Sequence, residues 1–249
     1  TVANGQYETR LGVGVYYGNT YYGENTFPYG TFNIANGIQI NTVKTSFNAF
    51  SPNGDGSYDT TDIQYVLTKG GAATIRIYDA GNVLVRTLIN GVNQLAGQQG
   101  VSWNGKNDTA VVLADGVYTY KIDAQVSAAE TALQKSGTVT LDNGYMTRTT
   151  PADNAALAGV MRFRWAPSTY VTSVNSCGNF MYRVKGASDW GYPASYQSTK
   201  QTDGSCTYDW DTGTVANGQY ETRLRVAVYY GNTYYGEDTF PYGTFNIAN

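Results

Sequence analysis

Residues 1–36 read TVANGQYETRLGVGVYYGNTYYGENTFPYGTFNIAN and residues 214–249 read TVANGQYETRLRVAVYYGNTYYGEDTFPYGTFNIAN, so 33 of 36 positions agree at an offset of 213. Self-similarity at a fixed offset marks a repeated folding unit, and any fold for this chain must carry the stretch as a modular piece. The differences are Gly12 against Arg225, Gly14 against Ala227, and Asn25 against Asp238. From Tyr220 onward, Tyr220, Thr222, Leu224, Val226, Val228 and Tyr230 alternate with Glu221, Arg223, Arg225, Ala227 and Tyr229. That is the period of a strand with one buried face. Both differences within the strand, at 225 and 227, are expected on its solvent face.

The rest of the composition points the same way. With 29 Gly, 23 Tyr and only 14% charged residues, the chain favours strands joined by tight turns over long helices. Its 249 residues suffice for two domains, each with its own core. The 16 Lys and Arg are scattered and the net charge is −3, which leaves no basic stripe for a nucleic acid. No apolar run approaches the roughly 18 residues of a membrane span. No charged-apolar-cleavage pattern is present either, so an export or anchoring signal is expected to lie outside these residues.

There is no histidine, and there are two cysteines. The commonest general base, the usual zinc ligand and every His-dependent triad are therefore missing. A carboxylate pair of the glycosidase kind stays formally open, but the acidic residues sit mostly in turns. No enzyme is expected.

Taken in order, residues 1–36 hold one long alternating strand over residues 6–17, a turn at Gly18-Asn19 and further Tyr-rich strand material. They have the composition of the last strands of a sandwich and lack the earlier ones, and a bare hairpin leaves its apolar face in water. The stretch is therefore expected to be the terminal strands of a preceding unit, with donation to another chain by strand addition and disorder as the alternatives. Tyr7, Leu11, Val13, Val15 and Tyr17 would form the inter-unit strand. Residues 37–142 make a first domain and residues 143–249 a second, whose last strands duplicate 1–36. Runs such as 75–77 and 118–120 alternate and stop at turn residues, among them Asp79-Ala-Gly-Asn82 and Asp115-Gly116. Several short strands at such spacing predict an all-β chain of tandem antiparallel sandwiches. The stretch 124–137 (AQVSAAETALQKSG) alone has helix-favouring composition and is expected to be a linker or one helical turn.

Phe50-Ser-Pro-Asn-Gly-Asp-Gly56, Trp103-Asn-Gly-Lys-Asn-Asp108 and Ala114-Asp-Gly-Val-Tyr-Thr-Tyr120 together resemble the Ig-like domain at the end of the flagellar hook-capping protein, a module widespread in bacterial surface and secreted proteins. The resemblance covers roughly 100 residues and implies the Ig-like module without flagellar function, because the hook-capping protein's assembly region has no counterpart here. Trp103 is expected as a core anchor. The run Trp210-Asp-Thr-Gly-Thr-Val-Ala-Asn-Gly-Gln-Tyr220 is similar to a signature of bacterial Ig-like adhesin domains. In that signature Asn-Gly makes a turn feeding the penultimate strand, the place held here by Asn217-Gly218 and, in the first copy, by Asn4-Gly5.

Three constellations remain. Residues 51–62 have the oxygen offsets of an EF-hand-like calcium loop, with Asn53, Asp55, Asp59 and Asp62 as candidate ligands and Gly56 at the sharp turn. The competing reading is a turn whose Asx side chains bond their own backbone. If an ion is held, it stiffens the domain and raises its melting temperature; otherwise no cofactor is expected. Cys177 and Cys206 are expected to be bridged, and two separate buried thiols are the alternative. The repeated tyrosines, 16, 17, 21, 22 and 29 with 229, 230, 234, 235 and 242, are divided by alternation between core and interface, with sugar stacking as the alternative.

The reading that joins these observations is a structural, non-catalytic repeat of a long extracellular bacterial surface or filament protein. Its partners would be neighbouring copies of itself. The alternative is an adhesive or carbohydrate-binding module of a larger secreted protein, with a glycan or host surface as partner.

Overall fold

The computed structural model describes residues 5–8, 12–26, 31–34, 37–239 and 242–249. Strands form nearly all of the regular structure, as alternation and turn residues require; one 3₁₀ turn, Thr212–Thr214, interrupts them. The first copy of the repeat contributes β1 (Gly5–Glu8), β2 (Gly12–Tyr17), β3 (Thr20–Thr26) and β4 (Thr31–Ile34). The single strand expected over residues 6–17 is seen as β1 and β2, with residues 9–11 outside the described residues. β1 pairs with β4 and β2 with β3, and among the described residues neither pair extends into a sheet of residues 37–249.

The first sandwich holds β5 (Ile40–Thr45), β6 (Ala49–Phe50), β7 (Thr61–Leu67), β8 (Gly71–Tyr78), β9 (Leu84–Gln94), β10 (Gly97–Trp103), β11 (Gly116–Ser127), β12 (Glu130–Thr131) and β13 (Lys135–Leu141). One sheet runs β10-β7-β5 and the other β6-β13-β11-β8-β9, with β12 hairpinned to β11. Alternate residues face inward: Ile63, Tyr65 and Leu67 from β7 meet Ile75, Ile77, Tyr120, Ile122 and Val139 of the facing sheet. Residues 124–137, read as a linker or helical turn, are the end of β11, β12 and the start of β13. Ala124 is buried and paired with Ala73, so cross-strand packing overrides local helix propensity there.

The second sandwich holds β14 (Met146–Thr150), β15 (Ala156–Leu157), β16 (Val160–Pro167), β17 (Ser173–Val184), β18 (Thr199–Lys200), β19 (Cys206–Asp211), β20 (Gly218–Tyr230), β21 (Thr233–Asp238) and β22 (Gly243–Ile247). Its sheets run β14-β16-β19-β18 and β15-β22-β20-β17, with β21 paired to the far half of β20. Between them lies an aromatic core in which Phe180 stacks on Tyr208 at 4.3 Å and Phe163 meets Phe245 edge-on at 5.0 Å. Two strands follow β20, so Asn217-Gly218 feeds the third strand from the end and not the penultimate one. Pairing is antiparallel in both sandwiches except where a two-residue strand lies parallel to the last one, β6 on β13 and β15 on β22.

Each sandwich carries the same local lock. The Tyr118 hydroxyl donates to the Ala114 carbonyl at 2.7 Å, and the Tyr220 hydroxyl donates to the Ala216 carbonyl at 3.0 Å. Both lie in an Ala-Asp/Asn-Gly-x-Tyr sequence, and the ring holds the corner that launches the long central strand.

The solvent-face expectation holds for Arg225, which is exposed, and fails for Ala227, which is 7% exposed. On the same face stands the Tyr229–Tyr234 ring pair, 5.5 Å apart. In the first copy a methyl added at Gly14 would lie 3.3 Å from the Tyr21 ring and 3.6 Å from that of Tyr16. A methyl there would press on the Tyr21 ring, although Gly14 itself is exposed in the first copy. The other two differing positions, 225 and 238, are register partners across β20 and β21.

Candidate functional site: the joint between the sandwiches

Only residues 142–145 separate β13 from β14, and each of the four is tied down. The Asp142 amide donates to the Phe50 carbonyl at 3.0 Å. Asn143 donates from its amide and its side chain to Asp115 Oδ1, both at 2.8 Å, and from its side chain to the Leu113 carbonyl. The Gly144 amide reaches Asp142 Oδ1 at 3.3 Å, and the Tyr145 carbonyl accepts from the Ser168 amide at 2.9 Å. A linker with its backbone satisfied in this way belongs to both bodies it connects.

Around it the hairpin tip of β20 and β21 reaches out of the second sandwich and onto the first. Gly231 takes a positive φ of 55° at the tip, as Gly18 does at 62° in the first copy; the turn needs a residue without a Cβ. The tip brings Tyr230 and Tyr235 against Phe47 and Tyr58 of the first sandwich and Tyr145 of the linker. Tyr235 meets Tyr58 edge-on at 4.9 Å, Tyr145 at 5.6 Å and Tyr230 at 5.3 Å, and Phe47 meets Tyr58 at 5.0 Å. Tilted and edge-on rings at these separations attract beyond the area they bury. Tyr235 is fully buried, and its hydroxyl accepts from the Ala49 amide of β6 at 3.2 Å.

The polar centre of the joint is Asp142, 0% exposed. Its Oδ2 accepts from the hydroxyls of Tyr230 and Ser168, both from the second sandwich. Burial pushes the Asp142 carboxyl above the ordinary carboxylate range, against the pull of its three donors. Burial, and then the charge of Asp142, drive the Tyr230 phenol well above its ordinary value, so it stays a donor at every physiological pH. Tyr235 is raised chiefly by burial. The arrangement is a clasp: one buried carboxylate, two hydroxyls gripping it, and a ring cluster that keeps water out.

None of Asp142, Ser168, Phe47, Tyr58 and Tyr145 is singled out by sequence pattern, because the joint assembles residues from non-adjacent turns. The signal within reach is the repeat. Tyr17 and Tyr22 are the counterparts of Tyr230 and Tyr235, but Tyr17 is 82% exposed where Tyr230 is 8% exposed. Of the other candidate inter-unit residues, Leu11 lies outside the described residues, as do the side chains of Tyr7, Val13 and Val15. The side chain of Tyr22 falls outside them likewise, and Tyr29 lies outside them altogether.

The candidate calcium residues are engaged in a turn. Asp59 accepts from the Gly54 amide at 2.7 Å and the Gly56 amide at 2.9 Å, Asp55 from Ser57 at 2.8 Å, and Asn53 from Asp55 at 3.0 Å. Asp62 stands on an outward position of β7. Among the described residues no group of three or more His, Cys, Asp or Glu gathers to hold an ion. Cys177 and Cys206 are bonded, with Cα atoms 5.6 Å apart. The bridge ties β17 of one sheet to β19 of the other, and Cys206 is the register partner of Trp165.

Three stretches of the first sandwich converge beside the joint. Trp103, fully buried, sits between Phe50 at 5.2 Å and Tyr118 at 5.3 Å, and its Nε1 donates to the Lys106 carbonyl. Gly105 lies so close to Pro52 that an added Cβ would be 2.6 Å from the proline ring. The Phe50, Trp103 and Ala114 motifs are thus one packed corner. Residues 48–128 match the model of the FlgD Ig-like domain. Of the joint's residues, Ala49 and Tyr58 lie within the stretch matched to the FlgD Ig-like domain, whereas Phe47, Asp142 and the whole second sandwich lie outside it.

No curated protein matches the chain. Among solved structures, the chain is similar to an endo-β-1,4-mannanase from Thermotoga petrophila (13% identity, 43% of this chain and 20% of that one, TM-score 0.28). It is also similar to the fibronectin(III)-like modules of CbhA from Clostridium thermocellum (13% identity, 83% and 93%, TM-score 0.27). A third likeness is to the FN1–FN3 domains of chicken CNTN1 (11% identity, 85% and 65%, TM-score 0.31). The chain therefore spans a fifth of the mannanase it matches. The fold is all-β, built of Ig-like sandwiches. Among the described residues no helix is long and apolar enough to cross a membrane.

Proposed function

We propose that the chain is a structural, non-catalytic repeat unit of a long extracellular surface or filament protein, in which pairs of Ig-like sandwiches are locked by the clasp at Asp142. One observation carries the reading. The stretch repeated at an offset of 213 is the three-strand block that ends the second sandwich, and it includes Tyr230 and Tyr235 of the clasp. A repeat that preserves a joint is what a multi-domain rod requires, since relative motion of neighbouring domains is the default without a well-packed interface. Residues 1–36 are then the end of a preceding unit of the same design. The inter-sheet disulfide supports an oxidising, exported setting, and the absence of histidine supports a role without acid–base chemistry. In this reading neither calcium nor any other cofactor takes part.

The adhesive or carbohydrate-binding alternative draws on the exposed tyrosines. Their pairs are inclined to each other, Tyr16–Tyr21 by 53°, Tyr192–Tyr196 by 63° and Tyr229–Tyr234 by 71°, so none offers the coplanar platform that favours a stacked sugar. The test is the residues encoded next to this stretch. A copy of residues 37–213 immediately upstream of Thr1 is expected; an unrelated domain there contradicts the proposal.

A further inference from the structure

The chain contains two near-identical copies of one three-strand block, and the described structure holds one of them in a seat. The block of residues 214–249 meets the rest of its sheet along two borders, β17 on one side and the two-residue β15 on the other. Within the block, β20 pairs first with β22 and then with β21. The first copy repeats most of this internal pairing. Gly5↔Ile34 repeats Gly218↔Ile247, and Tyr16↔Tyr21 repeats Tyr229↔Tyr234. Among the described residues the first copy thus forms two strand pairs, β1 with β4 and β2 with β3, that repeat pairings made within the second copy. From Gly12 to Gly14 its hairpin pairs one residue out of step with the second copy, and a bulge between Gly14 and Tyr16 restores the shared register at the tip.

The side chains that fill the seat are the same in both copies. Leu224, Val226, Val228, Tyr230, Tyr235 and Phe245 are all buried in the second sandwich or its joint, and Leu11, Val13, Val15, Tyr17, Tyr22 and Phe32 are their counterparts. None of the three differences obstructs entry. Arg225 is exposed, Gly14 for Ala227 removes a methyl, and Asn25 for Asp238 conserves shape.

We propose that the seat of the second sandwich accepts residues 1–36 of a second copy of this chain in place of its own residues 214–249, giving strand-exchanged, head-to-tail assemblies. The inference rests on the repeat-unit reading. Because the contacts are alike, covalent connection decides which block sits. The chain's own block acts at an effective concentration of about a millimolar, so exchange takes over when that block is weakened. Exchange of identical elements is a low-cost route to assembly, and a head-to-tail contact grows into open chains unless it closes into a ring.

The test weakens the resident block in the full chain with Leu224→Asp, which puts a carboxylate at a fully buried position. Light scattering behind size exclusion, at tens of micromolar, should show dimers and larger species. The near-ultraviolet circular dichroism of the second sandwich should be retained. Adding Leu11→Asp to the same chain should abolish both. A synthetic peptide of residues 1–36 should convert the oligomers to monomers with the signal intact, and the same peptide with Leu11→Asp should not. If Leu224→Asp precipitates, refolding with the two peptides is compared instead, and recovery by the first alone is expected. Monomers at all concentrations, oligomers indifferent to Leu11, or equal recovery with either peptide would overturn the exchange. Each would leave the array reading standing, since that is decided by the adjoining sequence.

Discussion

Tyr230→Phe and Tyr17→Phe delete the same hydroxyl from the same local sequence, Val-Tyr-Tyr-Gly-Asn-Thr, 213 residues apart. The account separates them sharply. At Tyr230 the hydroxyl is one of three donors to a carboxylate that water does not reach. A hydrogen bond to a charged group contributes about 1.5–3 kcal/mol, and stranding part of a buried carboxylate forfeits it. A loss of about 2 kcal/mol is expected for Tyr230→Phe, seen as a Tm lower by about 4–8 °C for a body of this size. At Tyr17, 82% exposed, the change should stay within about 0.5 kcal/mol. Urea denaturation with an unchanged slope reads both. Pairing Tyr230→Phe with Asp142→Asn in a double-mutant cycle should give a coupling of about 1 kcal/mol or more. Equal effects at 17 and 230, or a coupling near zero, would refute the clasp.

Other outcomes follow from the same contacts. Burial raises the Asp142 carboxyl in the folded state, so the native protein binds its proton more readily than the unfolded chain does, and this contribution to stability is fully present below the unfolded value and lost as pH rises through the folded one. The stability of the wild type relative to Asp142→Asn, from urea midpoints, should therefore fall as pH rises from about 4 toward that raised value; a flat or rising difference contradicts the assignment. Replacing both Cys177 and Cys206 with Ala frees a loop of 29 residues' separation and should cost about 3–4 kcal/mol, localised by hydrogen exchange to residues 146–249. Millimolar calcium against chelator should leave the Tm unchanged within about 1 °C, because ligand binding raises Tm only when a site exists in the folded state and the loop's carboxylates already hold its amides.

Much of the architecture is legible in the residues. The alternation from Tyr220 to Tyr230 places Leu224, Val226 and Val228 inward, and Asp79-Ala-Gly-Asn82 makes the turn its sequence asks for, with Asn82 at a positive φ of 60°. What escapes is set by neighbours distant in sequence. Residues 124–137 read as a linker or one helical turn until the strand of Ala73 lies alongside Ala124. Ala227 reads as a solvent-face residue, yet it is buried on the face that carries the Tyr229–Tyr234 pair. Asp142 reads as one more turn acid, and only the approach of two separately folded surfaces buries it between Tyr230 and Ser168. The repeat alone carries a trace of the joint, in the retention of Tyr17 and Tyr22.

The central claim is that the clasp makes one body of two sandwiches. Residual dipolar couplings of backbone amides in weakly aligned protein measure this directly. A single alignment tensor should fit residues 38–141 and 146–249 together, and Tyr235→Ala, which empties the middle of the ring cluster, should split it into two of unequal magnitude. Separate tensors in the unmodified protein would contradict the account.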